Sequence, residues 1–139
     1  MSAPMAQVMR AAAHVLLSGI FVVGGLDAAR HPNANVAEAK TVIDPLADKL
    51  PLFPMNAATI VRLNGAFQVA AAIALAVRPH PRVPALGLAV SLIPTTLAGH
   101  RFWDKSDDER FTELVEFLAN AAVLGGLLLV AIGDEEGVS

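Results

Sequence analysis

The sequence predicts an all-α polytopic membrane protein, with four transmembrane helices in an up-down bundle and a short amphipathic segment after the first helix. Two observations carry that reading. Four apolar stretches, residues 8–26, 57–77, 83–99 and 111–132, occupy most of the 139-residue chain. A hydrocarbon core takes about 20 helical residues to cross, with a range of about 17–25. The chain is also 55% hydrophobic, with a mean hydropathy of +0.55, and the apolar residues run right round the helices. Val15, Leu16, Leu17, Ile20, Phe21, Val22 and Val23 leave no polar face. A soluble bundle helix keeps charges opposite its apolar stripe, so the soluble alternative fails on pattern. One domain, residues 1–139, is all this length supports.

Each element has its own signals. The first stretch has Arg10 as a positive flank, like a cleaved signal peptide, but Leu26-Asp27-Ala28 ends it without a small-x-small cleavage pattern. An uncleaved first span is expected. The connection over residues 27–56 mixes charge with apolar residues. Val36 to Ile43 fits a short amphipathic helix that Asp44-Pro45 should end or kink, because proline disfavours helix at the residue before it. Leu50-Pro51-Leu52-Phe53-Pro54 reads as an extended interfacial run. This connection is expected to lie on the membrane surface or cap the bundle, a solvated loop being the alternative.

Pro79, Pro81 and Pro84 make the next connection a stiff hairpin, so the second and third spans should be antiparallel neighbours. Pro94 lies inside the third span, where Thr95 or Thr96 could satisfy the carbonyl it frees, with a kink nearby. The pairs Ala121/Gly125 and Ala122/Gly126 follow the small-x-x-x-small spacing that lets helices approach closely. Gly19, Gly24 and Gly25 in the first span, and Gly65 and Ala66 in the second, add further slack. All are expected to serve packing. Arg10, Arg78 and Arg82 fall on one side of the membrane; Arg30, Lys40, Lys49, Arg101, Lys105 and Arg110 fall on the other. The bare count favours the second side as cytoplasmic. The dense signal in the tight hairpin favours the first, with both termini cytoplasmic, and that orientation is adopted.

Composition narrows the chemistry. There is no cysteine, hence no thiol nucleophile, disulfide or thiolate metal ligand. The formal charge of −3 and the lack of a basic stripe exclude nucleic acid as a partner. No P-loop, dinucleotide fingerprint, nucleophile elbow or zincin motif occurs. His14 and His100 lie near opposite faces, so neither a metal site nor any catalytic residue is assigned.

The polar residues inside the spans are therefore the informative ones, because lipid penalises them. An antiparallel bundle fixes their depth. Arg62 and Glu116 each stand five residues into their spans, about 7–8 Å below the same face. Asn64, His100 and Glu113 join them in one slab, with Asp27 at its edge and Gln68 and Asn120 deeper. Asn64 and Gln68 share a helix face, as do Glu113, Glu116 and Asn120; Arg62 points away from the face of Asn64. Glu113 is assigned to capping the fourth span, where a carboxylate complements the helix dipole. The candidate ligand site is thus a polar pocket of Arg62, Asn64, Gln68, His100, Glu116 and Asn120, with Arg62 and Glu116 as its charged pair. It would suit a quinone head group or another small polar ligand.

These residues resemble the DoxX family of small four-helix bacterial membrane proteins. The likeness is carried by Arg62-x-x-Gly65-x-x-Gln68, by Pro94-Thr95-Thr96-Leu97-Ala98-Gly99-His100-x-Phe102-Trp103, and by Phe117-Leu118-Ala119-Asn120 with Leu124-Gly125-Gly126-Leu127-Leu128. Gly19-Ile20-Phe21 and Gly24-Gly25-Leu26 extend it to the first span. Ala119 departs from the lysine common before that asparagine. The resemblance implies a bacterial plasma-membrane protein linked to thiosulfate–quinone or thiol redox chemistry. With no group able to take up electrons unaided, the chain is expected to be an accessory or scaffold subunit of a membrane assembly. Its partners would be lipids, other membrane-associated proteins or further copies of itself. The alternative is a quinone-linked oxidoreductase subunit using the polar pocket, with quinone as a bound rather than an intrinsic cofactor.

Overall fold

The computed structural model describes residues 1–50 and 56–133. Five helices follow in order: α1 (Ala3–Arg30), α2 (Val36–Lys49), α3 (Ala57–Val77), α4 (Arg82–Gly99) and α5 (Asp107–Gly133). Four of them, all but α2, are long and apolar enough to cross a membrane. At 1.5 Å per residue they measure about 42, 32, 27 and 40 Å. Short 3-10 turns, Pro32–Asn35 and Phe102–Asp104, lead into α2 and α5.

Helix limits follow from local chemistry. Ser2 caps α1, its side chain accepting from the Met5 amide, and Asn56 caps α3 by accepting from the Thr59 amide at 2.8 Å. Such caps satisfy amides that the first turn leaves without partners. Asp107, Asp108 and Glu109 put negative charge at the positive end of the α5 dipole. α5 is longer than its apolar run because this acidic first turn continues the helix into the interface, and α1 outruns its own at both ends.

The four spans form a ring. α1 lies mainly along α3, α4 packs against both α3 and α5, and α5 touches α1 lightly. The α1–α3 contact is the tightest. A Cβ placed on Gly25 would stand 2.6 Å from the Gly65 carbonyl oxygen, and one on Gly65 would stand 2.5 Å from that of Gly25. Half the bundle away, the Ser18 hydroxyl lies 2.8 Å from the Ala72 carbonyl of α3 and 2.7 Å from the His14 carbonyl of its own helix. The apolar core fills the half of the bundle towards the α3–α4 hairpin, where Leu75, Leu88 and Leu127 are fully buried beside Ala72 and Ala85. α2 lies across α3 and α4 at the other end, with Ala39, Val42, Ile43 and Ala47 half-buried. It therefore caps the bundle.

Three local expectations are corrected. α2 does not end at Asp44-Pro45 but runs through Pro45 to Lys49. Thr41, whose carbonyl loses its partner to Pro45, is exposed, so water or head groups can bond there in place of the missing amide. In α4 the Thr95 hydroxyl donates to the Ser91 carbonyl at 2.8 Å, not to the Val90 carbonyl that Pro94 deprives of its donor. The backbone-to-backbone approach is made by Gly25 and Gly65; of the α5 small residues Gly126 alone packs closely, a Cβ there standing 3.1 Å from a Leu17 methyl of α1, whereas Ala121 and Ala122 are exposed and a Cβ on Gly125 would meet nothing within 4 Å. The run 51–55 and the acidic tail lie outside the described residues.

The glycine contact makes a sharp prediction. Gly65→Ala should lower stability by about 1–3 kcal/mol, because its methyl meets backbone rather than a yielding side chain. Gly24→Ala, one position from the contact and with open space around it, should leave stability unchanged or slightly raised. Thermal unfolding in detergent reads the difference; equal midpoints for the two variants would refute the contact.

Candidate functional site

Below α2 the four spans enclose a cavity of about 470 Å³, within the range of about 300–1,000 Å³ typical of small-molecule pockets. Phe21, Gly24 and Ala28 of α1 form one wall, and Ile60, Val61, Asn64 and Gln68 of α3 another. Leu92, Thr95 and His100 close it from α4, Asn120 from α5, and Glu38, Val42 and Ile43 of α2 from above. The residues expected to form the site thus divide. Asn64, Gln68, His100 and Asn120 come together around one space. Arg62 and Glu116 do not line it, and both are exposed.

A relay of side chains organises the α3–α4 wall. The Ser91 hydroxyl donates to Asn64 Oδ1 at 2.7 Å and accepts from Gln68 Nε2 at 3.0 Å. Asn64 Nδ2 donates in turn to the Thr95 hydroxyl at 3.4 Å. Each hydroxyl uses its single proton once, since Thr95 donates to the Ser91 carbonyl. Buried amides thereby keep fixed orientations in a medium where an unmet polar group is costly. Asn120 differs. It is half-buried on the cavity wall, and among the described residues its amide has no hydrogen-bond partner.

The end of α4 is held by a side-chain hydrogen bond to α5. His100 Nδ1 stands 3.0 Å from Glu113 Oε2, with side-chain exposures of 30% and 25%. Beside it Phe102, Trp103 and Phe117 meet edge to face, Phe102 and Phe117 at 5.3 Å between centroids. Arg101 lies 5.2 Å above the Trp103 ring and bonds Asp104 at 2.6 Å. This cluster ties α5 to the α4–α5 loop one turn from Asn120. On the opposite half, buried His14 lines a separate apolar groove between α1 and α5 with Leu17, Val123 and Gly126.

Two assignments change. The charged pair of Arg62 and Glu116 is not formed within the chain: depth matched them, but α4 packs against both α3 and α5 and stands between them. Glu113 does more than cap α5, because it pairs with His100. Thr95 and Glu38 were missed as wall residues, and Ser91 as the buried link between Asn64 and Gln68. Ser91 and Thr95 carried a signal, being four residues apart on the span antiparallel to the one bearing Asn64 and Gln68, also four apart.

Compared with protein-family models, curated proteins and solved structures, the chain finds no match.

The relay yields a test. Ser91→Ala should cost about 0.6–1.7 kcal/mol, between the average and the maximum found for interhelical hydrogen bonds in lipid. A double-mutant cycle with Asn64→Ala should show coupling of similar size in detergent unfolding; additive losses would mean the two side chains do not interact.

Proposed function

We propose that this chain is a membrane subunit that binds a small amphiphile with a hydrogen-bonding head group, held between the α3–α4 amide relay and Asn120. The observation that supports it most is the Asn120 amide, placed on the wall of a largely apolar cavity with no partner among the described residues. An amide offers both a donor and an acceptor, which suits a head group bearing carbonyl or hydroxyl groups. A quinone is the class we favour. The apolar lining from Phe21, Val42, Ile43 and Leu92 suits the tail. No residue of this chain is assigned a catalytic step, so any electron transfer would fall to a partner protein.

The resemblance to the DoxX family, which rests on the quoted motifs alone, points the same way and to a bacterial plasma membrane, with both termini cytoplasmic. An accessory, scaffolding role is the second reading. What favours it is the exposure of α5, whose most apolar stretch is only 11% buried within the chain.

Purification in mild detergent followed by lipid extraction separates the two. A near-stoichiometric quinone is expected with the natural sequence, reduced roughly tenfold in Asn120→Leu by loss of its hydrogen bonds. Val83→Ala, at an exposed site remote from the cavity, should retain it. Absence of quinone together with a co-purifying protein would overturn the binding role in favour of the scaffold.

A further inference from the structure

Arg62 and Glu116 are charged, exposed and, among the described residues, without a hydrogen bond or ion pair. Both belong to spans that face lipid, where an unpaired charge is penalised. α4 serves as a ruler for their depth. Asn64 meets α4 between Ser91 and Thr95, and Arg62 lies two residues nearer the membrane face, level with about Thr95. Glu113 meets α4 at His100, and Glu116 lies three residues deeper, level with about Leu97. At 1.5 Å per residue the two charges are separated by about 3 Å along the bundle axis. They have opposite sign and matched depth, and they sit on helices that stand across the ring from one another.

We propose that Arg62 of one copy pairs with Glu116 of a second copy, so that the chain self-associates in the membrane through the outer faces of α3 and α5. The surfaces permit close approach. Ala66 and Ala70 are exposed on the α3 face beside Arg62, and Ala119 is exposed one turn from Glu116. Small residues of this kind let helices pack backbone to backbone in lipid. Because α3 and α5 lie diagonally, one neighbour cannot cover both faces. The contact is therefore head-to-tail, each copy offering α3 to one neighbour and α5 to another. It is separate from the cavity, so it stands or falls independently of ligand binding.

Two differently tagged copies, co-expressed and solubilised in mild detergent, test it. Natural copies should co-purify. Arg62→Glu in both copies, or Glu116→Arg in both, should reduce co-purification roughly tenfold through like-charge contact. A copy carrying Arg62→Glu should recover it when paired with a copy carrying Glu116→Arg, and recovery also shows that both variants fold. In the natural cysteine-free background, a copy with Ala66→Cys and a copy with Ala119→Cys should form a disulfide between the two tags when oxidised in native membranes. Natural copies that do not co-purify, reversals without effect, or loss of both the mixed-pair recovery and that disulfide would each overturn the proposal.

Discussion

The contact between Gly25 and Gly65 governs the arrangement of everything else. Lipid tails are as apolar as leucine, so helices in a bilayer gain little by hiding apolar surface from their surroundings and associate through packing and hydrogen bonds instead. Two glycines facing one another bring α1 and α3 to backbone contact, and Ser18 fixes their register lower down by reaching the Ala72 carbonyl. With α3 held on that side, its neighbouring face, bearing Asn64 and Gln68, turns towards α4. The amide relay is a consequence of the glycine contact as much as of the amides themselves.

The bundle then divides along its axis. Towards the α3–α4 hairpin, alanine and leucine interlock between α3, α4 and α5, and Leu75, Leu88 and Leu127 are wholly enclosed. Towards the other face, the spans separate around a cavity that α2 covers. Polar side chains concentrate there because each needs either a protein partner or room for a ligand or water. Ser91 and Thr95 supply the first to α3; Asn120 has only the second. His100 and Glu113, with the aromatic cluster beneath the loop, hold that end of α5 in place and so set the width of the cavity.

Much of this was readable from residue order. The α3 and α4 spans follow their apolar runs, because Asn56 caps one and the hairpin prolines bound the other. The convergence of Asn64, Gln68, His100 and Asn120 followed from depth and helix spacing. What residue order lacked was the order of helices around the ring. Depth alone matched Arg62 with Glu116, whereas α4 stands between their helices. Nor could spacing decide which small residues would meet: the α5 alanines and the α1 and α3 glycines look equally suited until the ring is closed. The length of α2 escaped for a different reason. The proline rule is a local steric bias, and at Pro45 the helix continues with Val42, Ile43 and Ala47 half-buried on one face against the bundle, while the carbonyl left without a donor is exposed.

The central claim is that one layer of the bundle carries polar residues facing an internal, accessible space while their helical neighbours face lipid. Single cysteines, introduced into a chain that has none, test this directly through their rate of reaction with a small, water-soluble thiol reagent in native membranes. Cysteine at Asn64 and at Asn120 should react readily, since the thiolate forms only where water reaches, while cysteine at Leu63 and at Leu118 should react slowly. Equal rates at all four positions, or faster reaction at Leu63 and Leu118, would contradict it.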